Sequence, residues 1–152
     1  IYFPATRKVL EDKENTACID SMKGNGERIL IVDDVEEQRR ICSLLLSRLG
    51  YSVNTVSSGE DAVRYLAEQT ADLIVLDMIM DPGMDGLETY EKIIEIRPEQ
   101  KALIVSGFSE TQRVEKMQRL GAGAYVRKPY TLEKIGLAVK GELFGKNLNR
   151  SV

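Results

Sequence analysis

Four short apolar runs in this chain are each followed closely by charged or hydroxyl-bearing residues, and this pattern constrains the fold more than any other feature. The runs cover residues 29–32, 73–76, 102–105 and 124–126. Runs that are apolar throughout are typical of parallel strands buried on both faces of a sheet. The polar residues that follow them are Asp33, Asp34, Asp77, Ser106 and Lys128. Because the carboxyl ends of parallel strands lie along one edge of a sheet, we expect these side chains to share that edge.

The segments between these runs have the patterns of helices and of one further strand. After the first run, the apolar residues with helical spacing are Ile41, Leu44, Leu45 and Leu49. Ser57 and Glu60 form a capping-box pattern before a second helix, and Thr131 is predicted to cap the last one. Residues 51–55 alternate with a period of two, which favours an edge strand with one wetter face. Five strands alternating with five helices predict a doubly wound α/β domain, a parallel sheet with helices on both faces.

The composition argues against several classes of function. The chain of 152 residues has a formal net charge of -3 and a pI near 5.2, which gives no support to nucleic-acid binding. It contains no histidine, so a donor histidine or a Ser-His-Asp triad must lie outside this sequence. No apolar run approaches the roughly 20 residues that cross a bilayer, and no secretory signal opens the sequence. Cys18 and Cys42 make no disulfide framework, so a reducing, cytoplasmic location is expected, with Cys42 in the core.

Three carboxylates at one edge of a sheet repel one another unless positive charge compensates them. Each pair costs on the order of 4 kcal/mol at 4 Å in a medium of effective dielectric constant 20. Lys128 can supply one positive charge, and a bound divalent cation would supply the rest. Hard oxygen ligands without histidine or thiolate favour Mg²⁺ over zinc or copper.

With Mg²⁺ bound, one of these carboxylates can accept a phosphoryl group. Phosphoryl transfer requires mainly positioning and charge neutralisation from the protein. An aspartate oxygen attacks phosphorus in line and forms an acyl phosphate, a covalent intermediate of the carboxylate class. Lys128 would bind the phosphoryl oxygens, and Ser106 would donate a hydrogen bond to one of them.

Five short motifs lie at the ends of the predicted strands and in the loops that follow. They are Ile31-Val32-Asp33-Asp34, Leu76-Asp77, Met84-Asp85-Gly86, Ser106-Gly107 and Tyr125-Val126-Arg127-Lys128-Pro129. With these motifs, residues 27–144 resemble the receiver domain of response regulators in two-component signalling. The resemblance implies a flavodoxin-like fold with strand order 2-1-3-4-5 and a cis peptide bond between Lys128 and Pro129.

The resemblance also implies a role for each motif residue. Asp77 would be the phosphoacceptor. Asp33 and Asp34 would be acids of the Mg²⁺ site together with Asp77, with Asp34 preferred as the direct ligand, and the backbone carbonyl of Ile79 would be another ligand.

The remaining roles concern the phosphoryl group and the response to it. Lys128 would be the phosphoryl-binding lysine, and Ser106 the switch hydroxyl. Tyr125 would be the aromatic residue whose rotamer reports the state of Ser106.

The loop after Asp77 departs from the family's pattern. It carries one residue more than usual before Asp85, most simply Asp81. Asp81 is expected to start the turn at Pro82, and a supporting role in the metal site is the alternative.

The segments outside the domain carry their own predictions. Residues 1–10 resemble the last strand of the ATP-binding domain of sensor histidine kinases, residues 11–26 read as a linker, and residues 145–152 as a flexible tail. The sequence is therefore interpreted as the C-terminal receiver of a hybrid sensor histidine kinase.

The expected partners are a histidine kinase or a histidine phosphotransfer protein, and an attached kinase core. No nucleic acid or membrane contact is expected, and the choice between a monomer and a weak dimer stays open. The domain would promote its own phosphorylation and dephosphorylation rather than act as an enzyme. An alternative is a receiver-like docking module that is not phosphorylated.

Two further alternatives have weaker support. A phosphatase of the haloacid dehalogenase type needs a second aspartate where Ile79 stands. A flavin-binding module needs a phosphate-binding loop where Asp33 and Asp34 stand.

Overall fold

The computed structural model describes residues 20–80, 83–107 and 111–144. From Arg28 onward, five strands alternate with five helices. The strands are β1 (Arg28–Val32), β2 (Ser52–Val56), β3 (Leu73–Asp77), β4 (Ala102–Ser106) and β5 (Tyr125–Arg127). The helices are α1 (Glu36–Arg48), α2 (Gly59–Glu68), α3 (Gly86–Ile96), α4 (Thr111–Arg119) and α5 (Leu132–Phe144). Within the described ranges, no helix is both long enough and apolar enough to span a lipid bilayer.

The strands form one sheet in the order β2-β1-β3-β4-β5, and every pair is parallel. The predicted doubly wound fold and strand order are confirmed. Every residue of β3 and β4 is buried, whereas β2, the outermost strand on one side of the sheet, is exposed or half-buried throughout. The register pairs Val32 with Leu76, and Asp77 with Val105. The strands therefore end side by side, and the residues that follow them meet at one edge.

Two apolar layers enclose the sheet, because alternate residues of a strand point to opposite faces. The layer with α2, α3 and α4 contains Leu30, Ile74, Ile104, Leu66, Tyr90 and Met117. The layer with α1 and α5 contains Ile31, Val75, Val105, Leu46, Ile135 and Val139. Val32, Leu76 and Val105, at or near the carboxyl ends of their strands, belong to these layers, so the polar residues of that edge lie directly above the apolar core.

Helix α1 and the residue after it bury only part of the apolar pattern seen in the sequence. Ile41 and Leu44 are 46% and 62% exposed, whereas Cys42 and Leu46 are buried. The buried positions are 42 and 46 on α1 and 49 directly after it, which recur every three or four residues and define the face toward the sheet. Of the four apolar residues with helical spacing, Leu49 is buried and Leu45 packs half-buried against the core, whereas Ile41 and Leu44 are exposed. The prediction that Cys42 is a core residue is confirmed.

One of the two predicted helix caps is wrong and the other is confirmed. The side chain of Ser58, not Ser57, caps α2 by accepting a hydrogen bond from the Asp61 amide at 3.1 Å. Thr131 caps α5 as predicted, because its hydroxyl accepts from the Lys134 amide at 3.1 Å.

Residues 20–26, the part of the predicted linker that the structure describes, lie against the domain. Met22 is 1% exposed, and its side chain occupies the space that a Cβ on Gly136 of α5 would need. The amides of Gly24 and Gly26 donate to the carbonyls of Leu49 and Gly50 at 2.8 and 2.9 Å. This segment is therefore packed onto the turn between α1 and β2, and the assignment of residues 11–26 as a linker stays a prediction.

Candidate functional site

Three carboxylates converge at the carboxyl edge of the sheet. Asp33 and Asp34 directly follow β1, and Asp77 ends the neighbouring strand β3. Each offers an oxygen that lies within 4.8 Å of those of the other two. Asp33 and Asp77 are only 4% and 5% exposed, whereas Asp34 is half-buried. The fold thus places like charges close together where little water can screen them.

One ammonium group bridges the two buried acids. Lys128 follows β5, and its amide donates to the carbonyl of Ser106 at 2.8 Å, which fixes its backbone beside β4. Its Nζ lies 2.6 Å from Asp33 Oδ2 and 3.4 Å from Asp77 Oδ2. Among the described residues, Lys128 thus compensates both Asp33 and Asp77, and these three groups together carry an excess of negative charge when both acids are ionised.

Asp77 is hard to ionise in this setting. Its pKa is raised from 3.8 to about 6, chiefly because burial removes water from the carboxylate. The ammonium of Lys128 opposes the rise in pKa, and the negative charge of Asp33 adds to it. Ionised Asp77 would consequently gain from a second cation.

Asp33 is held through both backbone and side chain. Its amide donates to the Val56 carbonyl at 3.3 Å, and its Oδ1 accepts from the Val35 amide at 2.9 Å. Its carbonyl accepts from the guanidinium of Arg39 at 2.7 Å. Sequence reasoning missed Arg39, because an arginine in the first turns of a helix normally has its charge in solvent and nothing in the sequence pairs it with a carbonyl six residues earlier.

Ser106 and Tyr125 lie next to each other on the same side of the site. Ser106 ends β4, beside β3, and is fully buried. The hydroxyl of Tyr125, in β5, donates to the carbonyl of Ser106 at 3.5 Å, and the tyrosine ring is half-buried. The structure therefore brings these two residues together as the sequence predicted, while their roles as switch residues stay a prediction.

The backbone after Asp77 turns tightly around its carboxylate. The amide of Ile79 donates to Asp77 Oδ1 at 3.3 Å, and the amide of Gly86 donates to the carbonyl of Met78 at 2.9 Å. A Cβ at position 86 would lie 2.5 Å from the Asp77 carbonyl oxygen, so only glycine fits there. The predictions for Asp81 and Pro82 lie outside the described residues.

A thiol and a phenol lie close behind the acids. Cys42 and Tyr130 share a side-chain hydrogen bond, and burial raises the pKa of the Cys42 thiol to about 11. The pKa of Tyr130 is also raised, first by burial and then by the neighbouring Cys42. Both groups stay neutral near pH 7, so neither contributes charge or a nucleophile to the site.

The donor set fits a small hard cation. Oxygens bound to one octahedral Mg²⁺ are roughly 3 to 4 Å apart, so carboxylates grouped within 4.8 Å need only a small adjustment to share the ion. No nitrogen or sulfur ligand belongs to this group of acids, which disfavours zinc and copper.

Comparisons with known proteins agree with this geometry. Residues 29–140 match the family model of the response regulator receiver domain. The chain belongs to this family. Receiver domains are phosphoacceptors of two-component signalling, and they interact with histidine kinases or with phosphotransfer proteins.

Curated relatives share about a third of the receiver's residues. Sporulation initiation phosphotransferase F of Bacillus subtilis is 31% identical over 115 residues, 76% of this chain and 92% of that protein. The transcriptional regulatory protein ResD of the same organism is 32% identical over 119 residues, 78% of this chain but 49% of that protein. The receiver thus spans most of one relative and about half of the other.

Solved structures show the same fold. A CheY-like receiver domain protein from Methanospirillum hungatei has a TM-score of 0.74 at 27% identity, with 78% of this chain and 94% of that chain covered. The response regulator TrrA from Thermotoga maritima, solved in complex with Mg(2+)-BeF, has a TM-score of 0.70 at 30% identity, with 77% and 99% covered.

Proposed function

We propose that Asp77 accepts the phosphoryl group from a phosphohistidine of a histidine kinase or a histidine phosphotransfer protein. An oxygen of Asp77 attacks phosphorus in line, the phosphorus–nitrogen bond of the phosphohistidine breaks, and the imidazole leaves with the bonding electrons. The product is an acyl phosphate on Asp77. Because the attacking group is a carboxylate, the ionised form of Asp77 is the reactive one.

The proposed Mg²⁺ ligands are Asp33, Asp34, Asp77 and the backbone carbonyl of Ile79. When bound, Mg²⁺ neutralises charge on the carboxylates and on the phosphoryl oxygens. Asp34 is the proposed direct ligand, because it is less buried than Asp33 and its carboxylate is therefore easier for a cation to reach from solvent.

The other proposed roles follow from position. Lys128 contacts Asp77 and can follow the phosphoryl group with its flexible ammonium, stabilising the charge that develops on its oxygens. Ser106 would donate its hydroxyl to a phosphoryl oxygen, and Tyr125, which contacts Ser106, would respond to that change. Phosphorylation would in this way shift the domain between two states.

The contact of Lys128 with both buried acids is the observation that carries this proposal. A lysine 15% exposed between Asp33 and Asp77 is costly to desolvate, and two carboxylates beside it repel each other. A core that only had to be stable would be expected to have apolar residues there. The arrangement suits a site that receives further cations and anions during its function.

Phosphorylation of the intact chain tests the proposal. Acetyl phosphate and Mg²⁺ should add one phosphoryl group to the protein, detected by mass spectrometry, and Asp77→Asn should block the addition. Asp61→Asn is the matched control, because the side chain of Asp61 pairs with that of Arg64 at 3.4 Å on the exposed surface of α2. Absence of labelling, or equal labelling of Asp77→Asn, contradicts the assignment of Asp77.

We infer that the receiver belongs to a hybrid sensor histidine kinase in the cytoplasm. The support is the likeness of residues 1–10 to the last strand of a kinase ATP-binding domain. The expected onward step is transfer to a histidine phosphotransfer protein or feedback on an attached kinase core. Incubating the phosphorylated receiver with purified phosphotransfer proteins tests this inference, because loss of label from Asp77 must match its gain on a histidine of one protein.

A further inference from the structure

Two helices contact the end of the loop that follows the acceptor strand. On one side, Glu60 of α2 accepts a hydrogen bond from the amide of Met84 at 2.9 Å. On the other side, Arg113 of α4 forms an ion pair with Asp85 Oδ2. The other oxygen of Asp85 caps α3 by accepting from the Glu88 amide at 2.9 Å. Residues 84 and 85 are thus held by α2, α3 and α4 together.

The segment held in this way lies directly on the backbone of the acceptor. The amide of Gly86 donates to the Met78 carbonyl at 2.9 Å. A Cβ on Gly86 would lie 2.5 Å from the carbonyl oxygen of Asp77 and 2.7 Å from the Cα of Met78. At this separation, residues 85 and 86 cannot shift toward the acceptor without moving the peptide that follows Asp77.

We propose that Arg113 and Glu60 are positioning residues that clamp Met84 and Asp85 against the acceptor strand. The clamp keeps the backbone of residues 77–79 in place for the cation. This inference rests on the proposed function, because it assumes that Asp77 and the Ile79 carbonyl hold Mg²⁺. The ion pair between Arg113 and Asp85 also gives α4 a direct contact with the loop beside the site.

The two oxygens of Asp85 allow a selective test of the ion pair. Asn caps helices as well as Asp does, so Asp85→Asn keeps the cap on α3 and loses the charge that pairs with Arg113. Arg113→Gln removes the other partner. Arg119→Gln is the matched control on the same helix, because Arg119 pairs only loosely with Glu115 at 3.8 Å and is 78% exposed.

The direction in which the Mg²⁺ affinity changes distinguishes a positioning role from a purely electrostatic one. Without the clamp, both Arg113→Gln and Asp85→Asn should raise the Mg²⁺ Kd, by about two- to fivefold for a partly exposed pair. Charge alone would act in opposite directions, since losing a positive charge near a cation site tightens binding and losing a negative charge weakens it. The double variant should bind no more weakly than either single variant, because both remove one interaction.

Glu60 provides an independent arm of the test. Glu60→Gln keeps an oxygen that can accept from the Met84 amide, whereas Glu60→Ala does not. Hydrogen exchange of the Gly86 amide, which is bonded to the Met78 carbonyl, reports the position of the segment without metal. We expect faster exchange in Glu60→Ala and Arg113→Gln, and a rate close to that of the unmodified protein in Glu60→Gln and Arg119→Gln.

The experiment uses the full chain, with calorimetric titration of Mg²⁺ alone and amide exchange followed by NMR. Unchanged Mg²⁺ affinity and unchanged Gly86 exchange in Arg113→Gln and Glu60→Ala would overturn the clamp. Opposite shifts of affinity in Arg113→Gln and Asp85→Asn would overturn it as well. Failure of the unmodified protein to bind Mg²⁺ is a different result, which would contradict the proposed function instead.

Discussion

The two edges of the sheet use charged and polar side chains in opposite ways. At the carboxyl edge, the carboxylates of Asp33 and Asp77 face each other across the single ammonium of Lys128. At the opposite edge, where the strands begin (the amino edge), the side chain of Arg97 donates to the carbonyls of Leu66 and Gln69, at 3.0 and 3.3 Å.

Gln100 is the clearest example of the amino edge. It is 7% exposed, and its amide donates to the carbonyls of Ala71 and Lys101 at 3.1 Å each. Lys101 in turn donates to the carbonyl of Leu143 at 3.2 Å. Side chains at this edge satisfy backbone groups where helices and loops end, which is their usual structural use.

The polar side chains of the amino edge stabilise the fold, whereas the buried carboxylates of the carboxyl edge lower its stability. A donor paired with a carbonyl contributes to stability at any pH near neutral. Buried carboxylates of like charge lower stability until a cation or a proton arrives. The predictions below should therefore give effects that depend on pH and metal at one edge and effects independent of both at the other.

Loss of the bridging ammonium should have the largest effect. Lys128→Met leaves two buried carboxylates without their cation, and removing one partner of such a group costs about 3 to 5 kcal/mol. We expect that loss in the free energy of unfolding, measured by urea denaturation at pH 8 with a chelator present, and a smaller loss at pH 5. Lys101→Met is the control at the amino edge. An equal loss of unfolding free energy in the two variants would contradict the difference between the two edges.

The pH dependence of stability should follow from Asp77. Its folded pKa of about 6 lies above the ordinary value for aspartate, so the folded protein binds this proton more tightly than the unfolded chain does. The stabilisation that protonated Asp77 provides is fully present below about pH 4 and is lost as pH rises through about 6. The unfolding free energy should fall over this range by roughly 2 to 3 kcal/mol without metal. Asp77→Asn should lack this fall in the unfolding free energy, and parallel pH curves for the two proteins would contradict the assignment.

Substitutions at the amino edge should lower the unfolding free energy less, and their effect should not depend on metal. Gln100→Ala removes two hydrogen bonds from a buried side chain to backbone carbonyls, which should lower the unfolding free energy by about 1 to 2 kcal/mol. The loss should be equal at pH 5 and pH 8, and the Mg²⁺ Kd should stay unchanged. A shift in Mg²⁺ affinity would show that the two edges are coupled.

The smallest effect is expected for an exposed pair near the acids. Arg40 contacts Glu36 at 3.3 Å, and both side chains are more than three-quarters exposed. Arg40→Gln should change the unfolding free energy by no more than about 0.5 kcal/mol. A larger change would mean that charge near the carboxyl edge matters without burial.

Much of the fold could be predicted because its signals are local. The apolar runs before Asp77 and Ser106 are buried strands, and residues at the ends of adjacent parallel strands must be neighbours. The convergence of Asp33, Asp34 and Asp77 therefore follows from strand order, which the family resemblance supplied.

Other features depend on packing that a single sequence does not reveal. Ser57 and Ser58 are both plausible caps, and only the backbone conformation at Ser58 places its hydroxyl toward the Asp61 amide. Met22 stands in a polar segment, and its burial depends on a space at Gly136 more than a hundred residues later. Arg39 likewise gives no signal until the fold brings its guanidinium to the Asp33 carbonyl.

Proton release on Mg²⁺ binding tests the central claim most directly, because it joins the raised pKa of Asp77 to the metal site. At pH 6, half of the metal-free molecules should carry a proton on Asp77, so titration calorimetry in buffers of different ionisation enthalpy should show release of about half a proton per Mg²⁺. Release should vanish at pH 8 and in Asp77→Asn. Absence of Mg²⁺ binding, or the same proton release in Asp77→Asn, would contradict the account.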